Sequence, residues 1–334
     1  MRYRMSRRWV VATVAAAVSV AVLGLLPAAA QPNHRVGWLF PGPAGGVPPR
    51  VVAFKDGLLQ LGFQSPKQVD VVTRIADSNH ARLEPMAREL LALNVDVIAA
   101  FSPSAINALL KVVKETGHKV PIVAMSLVSD PVDSGWVKSL AQPGGNVTGL
   151  FLDFPEFSKK WLELLKEMIP GLTKVAVFWD PPTGTMQRAG VEQAARILNV
   201  ELDIMTVRRL ADLDDRFVAA RRGGAGAVLL LASPLFGGSL KLVADLSLKH
   251  RMPVVSPFPA YSRVGGLMGY GPNLLDTHRQ VGTIVGKILM GKKPADLPVE
   301  RHSRFEMAVN LKTAKVLGVT VPTSVLLRAD DVIE

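Results

Sequence analysis

The stretch SDPVDSGWVKSLAQPGGNVTG, residues 129–149, separates two similar halves of the chain. It opens with an Asp-Pro turn, continues through a short amphipathic segment around Trp136, and closes with a Pro-Gly-Gly-Asn turn. An apolar strand is predicted directly after it, at 147–152. Because strands and helices alternate on both sides, we expect this stretch to hold the first crossing between two lobes, beside the cleft that separates them.

Apolar strands alternate with amphipathic helices before residue 129. In the helix predicted at 50–61, for example, Val51, Phe54 and Leu58 fall on one face. Strands alternating with helices predict a parallel sheet with right-handed crossovers. The predicted strands are 35–40, 69–75, 95–101 and 121–127, and the predicted helices are 50–61, 83–93 and 102–117.

The same pattern repeats after residue 149. VDVIAAFSPSAINALLKVVKETGHKVPIVA, 95–124, lies beside AVLLLASPLFGGSLKLVADLSLKHRMPVVS, 227–256: each has an apolar strand, Ser-Pro, a helix and a closing strand. RVGWLFPGP, 35–43, similarly matches KVAVFWDPP, 174–182. Matched order across several elements indicates two copies of one βα lobe. The predicted helices of this half are 157–169, 187–198, 213–222 and 235–250, and its strands are 174–179, 200–207, 227–232 and 253–258.

The last quarter contains strands at 267–270 and 305–309 and helices at 274–290 and 311–317. With 334 residues, the chain exceeds the usual size of a single core. If the last quarter is shared between the lobes, three segments cross between them. We therefore expect an α/β protein with two parallel-sheet lobes. The predicted division gives lobe one 31–147 plus 271–303 and lobe two 148–270 plus 304–334.

Residues 1–30 have the pattern of a secretory signal peptide. Four arginines within the first eight residues precede an apolar run, 9–26, and Ala28 and Ala30 form an A-x-A ending. Cleavage is predicted after Ala30, with an uncleaved N-terminal anchor as the alternative. The absence of cysteine excludes disulfides, thiol catalysis and lipid attachment at an N-terminal cysteine.

Composition and motifs exclude several classes of function. The net charge is +11, but the basic pairs are scattered and not interleaved with aromatic residues, so no nucleic-acid partner is predicted. The chain has neither a G-x-x-x-x-G-K-[ST] phosphate loop nor a G-x-S-x-G elbow. The six histidines are dispersed, so no metal site is predicted. No cofactor is predicted either.

Candidate binding residues follow the strands of both halves. Ligands of open α/β sheets bind beyond the carboxyl ends of the strands. A helix opened by Ser-Pro presents free N–H groups suited to a carboxylate, and Asp180 on the facing lobe could hold an ammonium group. The alternatives are N-capping for Ser102 and Ser233, a turn role for Asp180 before Pro181, and core packing for the aromatic residues. The candidates are Phe40, Ser102, Ser104, Ser129, Asp130, Asp180, Ser233 and Phe258.

The chain resembles a known family, the bacterial ABC-transporter substrate-binding proteins related to the tryptophan/tyrosine-binding component. These have a type I periplasmic binding protein fold. The most specific match is DP-x-x-x-G-x-V-x-S-L-x-x-PGGNVTG in residues 130–149. Further matches are LEPMARELLALNVDVIAA, LELLKEMIPGLTKVAVFWDP and KILMGKKPADLPVERHSRFEMAVNLKTAKVLGVTVP.

The resemblance implies two Rossmann-like lobes with parallel sheets joined by three hinge crossings, and a small ligand clamped between them without catalysis. It implies a periplasmic monomer with an ABC permease as partner. The ligand would be an amino acid, with aromatic ones among the candidates, or a related carboxylate. By position, Ser129 and Asp130 would face the cleft, a short helix would follow, and 143–149 would begin a hinge crossing. Tyr270 joins the candidates as a residue near a hinge.

The chain departs from the family pattern in two places. Its first loop, PGPAGGVPPR, is rich in glycine and proline, and Phe101 stands where many members have a small residue. Two other functions remain open from the sequence beside solute import. One is an exported two-lobe α/β enzyme acting on a nucleotide-linked substrate, against which the missing phosphate loops argue. The other is a sensory protein that presents its ligand to a receptor.

Overall fold

A computed structural model describes residues 34–152 and 154–334, without the side chains of residues 154–156. The predicted signal peptide lies outside the described residues. The strands are β1 (His34–Phe40), β2 (Val69–Ile75), β3 (Val97–Phe101), β4 (Ile122–Ser126), β5 (Val147–Phe151), β6 (Lys174–Trp179), β7 (Glu201–Thr206), β8 (Ala227–Leu230), β9 (Val254–Ser256), β10 (Met268–Pro272), β11 (Glu300–Arg301), β12 (Phe305–Asn310) and β13 (Asp331–Ile333).

The helices alternate with these strands, as the repeating pattern predicts. They are α1 (Val47–Leu59), α2 (Leu83–Ala92), α3 (Pro103–Thr116), α4 (Phe154–Met168), α5 (Met186–Leu198), α6 (Leu213–Arg222), α7 (Pro234–Gly237), α8 (Leu240–His250), α9 (Ala260–Arg263), α10 (Leu274–Leu289), α11 (Leu311–Leu317) and α12 (Thr323–Leu326). Short 3-10 turns occupy Ala44–Gly46, His80–Arg82, Pro181–Thr183, Leu210–Asp212 and Pro294–Asp296.

Two separate sheets form the centres of two lobes. The strand order is β11-β5-β4-β3-β1-β2 in the first sheet and β13-β12-β10-β9-β8-β6-β7 in the second. Neighbouring strands run parallel except for β10 and β12, which are antiparallel. The predicted α/β class with two mostly parallel sheets is confirmed.

The chain passes between the two sheets three times. It leaves the first sheet after β5, returns after β10 and leaves again after β11. The first crossing lies later than predicted: Val147–Phe151 pairs with β4 and belongs to the first lobe, so a boundary at residue 147 is wrong. All five residues of this strand are buried, and β4 and β11 flank the strand within the first sheet.

Residues 129–146 form turns and irregular backbone, and the short helix predicted within the stretch is absent. Its Asp130 carboxylate accepts hydrogen bonds from the N–H groups of Val132 and Asp133, at 2.7 and 3.0 Å. The indole of Trp136 donates to Asn107 at 2.8 Å and is buried against α3. Side-chain bonds to nearby backbone favour turns over helices, because they satisfy the same N–H groups. The stretch therefore leads to β5 rather than crossing between the lobes.

Helices α1 and α10 approach each other very closely in lobe one. A Cβ on Gly57 of α1 would lie 1.9 Å from the carbonyl oxygen of Arg279, and one on Gly282 of α10 would lie 2.0 Å from that of Phe54. Glycine at both positions lets the two backbones touch. This contact fixes the amino-terminal ends of α1 and α10 side by side below the cleft.

Candidate functional site

A cavity lies between the two lobes at the carboxyl ends of the strands. It has about 460 Å³ of empty space, part of it open to solvent. Elements of both lobes supply its walls. Lobe one contributes Phe40, Arg50, Phe101, Ser102, Pro103, Met125, Leu127, Val128, Leu274 and His278, and lobe two contributes Thr183, Ala232, Ser233, Pro234, Gly237 and Phe258.

Aromatic rings form much of the lobe-one wall. The ring of Phe101, at the end of β3, stacks on the ring of His278 with centroids 4.7 Å apart and planes at 12°. The indole of Trp38 packs against Phe101 with centroids 4.7 Å apart. Phe40 lies beside both, with centroids 5.2 Å from Trp38 and 6.4 Å from Phe101. The departure from the family pattern at Phe101 thus places a ring on the cavity.

Arg50 in α1 is the most informative residue of the cavity. Its side chain is buried, and Nη2 donates a hydrogen bond of 2.6 Å to the carbonyl of Gly237 in the other lobe. Its guanidinium carbon lies 5.1 Å from the centre of the Phe40 ring. Burial lowers the pKa of Arg50 to about 10, so the group stays cationic at neutral pH. Among the described residues, Arg50 forms no ion pair with a carboxylate.

His278 in α10 supplies a second buried polar group. Its Nδ1–H donates to the carbonyl of Leu274 at 2.6 Å, which leaves Nε2 as an acceptor. Nε2 is buried without a hydrogen-bond partner. Burial, and secondarily the charge of Arg50, lower the pKa of His278 to about 3, so the ring is neutral at physiological pH.

Ser102 precedes α3 in an unusual backbone conformation. Its φ of 78° and ψ of 149° fall in a region that is almost restricted to glycine, and its hydroxyl does not cap the helix. The fourteen-residue helix α3 points its amino-terminal end, with Pro103 in first position, at the cavity. The positive end of its dipole therefore faces the ligand space. Ser104 lies one residue further along, where its hydroxyl is buried without a partner and does not line the cavity.

Ser233, the equivalent of Ser102 in lobe two, has all its hydrogen bonds within its own lobe. Its Oγ accepts from the N–H of Leu235 at 3.0 Å and donates to the Asp180 carboxylate at 2.5 Å. The N-cap interpretation therefore holds for Ser233, although one side of the residue lines the cavity.

Asp180 lies outside the main cavity. It lines a smaller neighbouring space together with Arg208, Ser78 and His80. Burial raises the pKa of the Asp180 carboxyl to about 6, while the hydrogen bond from Ser233 and the charge of Arg208 act in the opposite direction. The expectation that Asp180 faces the ligand across the cleft is not met by this geometry.

Three other predicted residues also lie away from the main cavity. Ser129 is half-buried and its N–H donates to Ser126, and Asp130 is engaged in its own turn. The cavity wall is formed instead by the residues just before them, Met125, Leu127 and Val128. Tyr270 in β10 accepts a hydrogen bond from the indole of Trp161 through its carbonyl, at 2.8 Å. Of the nine predicted residues, the cavity is lined by Phe40, Ser102, Ser233 and Phe258.

Arg50 and His278 are the two functional candidates that pattern reasoning misses. Arg50 is the single charged residue of PGPAGGVPPR, and a lone cation in the segment that leads from the first strand into the first helix is a usable signal. His278 shares the apolar face of α10 with Leu274, Val281 and Val285 at helical spacing. A histidine on such a face is most often a core residue, so its place on the cavity becomes visible only once α10 is seen to pack beside α1.

The glycine-rich first loop makes a close contact with the other lobe. A Cβ on Gly46 would lie 2.8 Å from the Cα of Gly238, and one on Gly42 would lie 2.7 Å from the carbonyl oxygen of Pro234. The helix predicted at 235–250 is broken here into α7 and α8, which exposes the Gly237 carbonyl to Arg50. The loop that offers few side chains is thus the surface on which the lobes meet.

Two further features of the described residues bear on the site. No cluster of three metal-ligating side chains occurs among residues 34–152 and 154–334. Within those same residues, no helix has the length and apolarity needed to cross a bilayer.

Comparison with known proteins gives a consistent picture. A tyrosine-binding protein of Clostridioides difficile is 23% identical over 266 residues, which cover 79% of this chain and 75% of that protein. A conserved domain protein of Vibrio cholerae superposes with a TM-score of 0.81 at 24% identity, covering 90% of this chain and 99% of the other. A Streptococcus pneumoniae ABC domain in complex with L-Trp gives 0.79 at 22% identity, covering 90% and 100%. The family model for ABC transporter substrate binding proteins matches residues 48–333, so the chain belongs to that family.

Proposed function

We propose that this chain is the exported, periplasmic receptor of an ABC importer and that it encloses a small carboxylate between its two lobes. The observation that carries the proposal is Arg50, a buried cation without an acidic partner among the described residues, in the wall of the interlobe cavity.

A buried cation needs a counter-charge. Removing an ion from water costs several kcal/mol even after relaxation, and a paired anion offsets that cost. The planar guanidinium fits a carboxylate through two parallel hydrogen bonds. Arg50 uses one N–H on Gly237 and has the rest of its donor set for a ligand. The dipole of α3 favours the same charge.

Closure follows from the contacts of Arg50. The bond from Arg50 to the Gly237 carbonyl joins the lobes, so a ligand on Arg50 is held where the lobes meet. Ligand binding would favour the closed form, which a permease would recognise. The L-Trp complex of the Streptococcus pneumoniae relative keeps amino acids among the candidate carboxylates.

A role in binding rather than catalysis suits the polar groups of the cavity. Ser233 and Thr183 both use their hydroxyls within lobe two, the latter to donate to the carbonyl of Asp180 at 2.7 Å. His278 is neutral and has no hydroxyl as a hydrogen-bond partner. No activated nucleophile is therefore formed by these lining residues.

The test begins with the ligand that co-purifies. Native mass spectrometry of the exported protein should show a bound organic acid, which partial unfolding releases. Returning that acid to stripped protein should reduce the radius of gyration measured by small-angle X-ray scattering, and cells that lack this chain should lose uptake of the acid. A stripped, folded protein that binds no organic acid and does not compact would contradict the proposal.

A further inference from the structure

We infer that the ligand is an apolar monocarboxylate that lacks an ammonium group, rather than an α-amino acid. This inference rests on the proposed function and narrows its ligand class.

Charge balance is the first argument. Arg50 is the charged side chain among the described lining residues, and His278 is neutral. The described lining residues therefore carry a net charge of about +1. A monoanion neutralises it, whereas a zwitterionic amino acid brings no net charge and leaves one positive charge buried. Uncompensated buried charge is strongly unfavourable, so the cavity selects for the monoanion.

Hydrogen-bond acceptors are the second argument. An ammonium group has three donors and needs matching acceptors, usually including a carboxylate. The hydroxyls of Ser233 and Thr183 already form hydrogen bonds within lobe two. The Asp180 carboxylate lies in the neighbouring space, where it accepts a hydrogen bond from Ser233 and lies near Arg208. Among the described lining side chains, His278 Nε2 and the Ser102 hydroxyl remain as acceptors. Two neutral acceptors do not replace a carboxylate in a buried site.

The remaining walls describe the rest of the ligand. They are rings and aliphatic side chains, with Phe40 and Phe101 on one side and Phe258 on the other. Burying apolar ligand surface against such walls favours binding, whereas burying polar groups there without hydrogen bonds opposes it. An aromatic or branched aliphatic body would pack favourably against these walls.

Matched pairs of ligands test the inference directly. Isothermal titration would compare 3-phenylpropanoate with L-phenylalanine, 3-(4-hydroxyphenyl)propanoate with L-tyrosine, 3-indolepropanoate with L-tryptophan and 4-methylpentanoate with L-leucine. Each pair differs in the ammonium group alone. We expect at least one acid to bind, and to bind at least tenfold more tightly than its amino-acid partner.

The outcomes separate the inference from the proposed function. An amino acid that binds as tightly as its deaminated partner overturns the inference and leaves the proposed function intact. Failure of all eight compounds to bind overturns the inference, whereas the proposed function is contradicted only if the stripped, folded protein also binds no co-purified organic acid and does not compact. Asp153, which lies outside the described residues, provides a further test. Asp153→Asn should leave every affinity within twofold, and a loss of amino-acid binding above tenfold in this variant would identify an ammonium site and overturn the inference.

Discussion

The two Ser-Pro helix starts descend from one sequence pattern but differ in structure. In lobe one, Ser102 has a positive φ and an uncapped helix start at the cavity. In lobe two, Ser233 is extended, caps its helix and bonds to Asp180. The first is conformationally strained and has its hydroxyl available; the second is relaxed and has its hydroxyl occupied. Backbone strain concentrates where a binding site requires it, which indicates that the repeat has specialised in lobe one.

The same contrast extends over the whole cleft. Lobe one carries the buried cation, the histidine and the stacked rings, whereas lobe two contributes mostly backbone and small residues, with Phe258 as the exception. We therefore expect lobe one to recognise the ligand and lobe two to cover it. Variants of the two walls should separate these roles.

The largest effect should come from Arg50→Gln in lobe one. Removing one partner of a buried charge pair costs about 2–5 kcal/mol, so affinity for the bound acid should fall by about 30-fold or more. Isothermal titration measures the loss. Arg88→Gln is the control, because this arginine is exposed in lobe one and pairs with Glu115 on the surface. Equal affinities for the two variants would show that Arg50 does not bind the carboxylate of the ligand.

His278, in the lobe-one wall, should make the stability of the protein sensitive to acid. The pKa of His278 in the folded protein is about 3, below the usual 6.5, so between these values only the unfolded chain takes up the proton. The free energy of unfolding then falls with pH below 6.5, by about 2 kcal/mol at pH 5. Urea denaturation of the native protein and His278→Gln should show this as a pH-dependent difference.

The difference between the two proteins isolates His278. Asp180, whose pKa is raised to about 6, loses its stabilising effect as pH rises from about 4 to 6, which is the opposite trend. Both proteins retain Asp180, so its contribution cancels. A pH-independent difference in the free energy of unfolding would mean that the pKa of His278 is the same in the folded and unfolded protein.

Closure by lobe two should depend on Gly46. A methyl group there meets the backbone of Gly238, and such overpacking costs about 1–3 kcal/mol. Gly46→Ala should therefore weaken binding by about tenfold and reduce ligand-induced compaction in X-ray scattering. Gly45→Ala is the matched control, since nothing lies within 4 Å of its added Cβ. Equal behaviour of the two variants would show that the lobes do not meet here.

The smallest effects should have opposite signs at the two Ser-Pro sites. Ser102→Gly should stabilise the fold by about 0.5–1 kcal/mol, because glycine tolerates the positive φ. Ser233→Ala should destabilise it by about 1 kcal/mol through loss of the cap. Denaturation midpoints at equal m values measure both. Equal signs would remove the distinction between the two helix starts.

Much of the fold could be predicted from local patterns. Buried parallel strands and amphipathic helices leave strong periodic signals, and α6 and β6 begin and end at the predicted residues. The end of lobe one was misplaced because an apolar strand such as Val147–Phe151 does not reveal which sheet it joins. Pairing partners are a property of the whole chain rather than of the segment.

The site was less predictable for a related reason. Sequence patterns place Ser102 and Ser233 at strand ends but cannot tell a free hydroxyl from a capping one. Asp180 follows its strand as expected, yet the nearby Ser233 and Arg208 hold it in the smaller space. Arg50 reaches the cavity because α1 packs tightly on α10, a contact between residues more than two hundred positions apart.

The most direct test of recognition by lobe one is a crystal structure of the protein with the tightest-binding organic acid. We predict the carboxylate within hydrogen-bond distance of the Arg50 guanidinium and the apolar body against Phe101 and Phe40. A carboxylate held by lobe-two residues, or one located outside the interlobe cavity, would contradict the account.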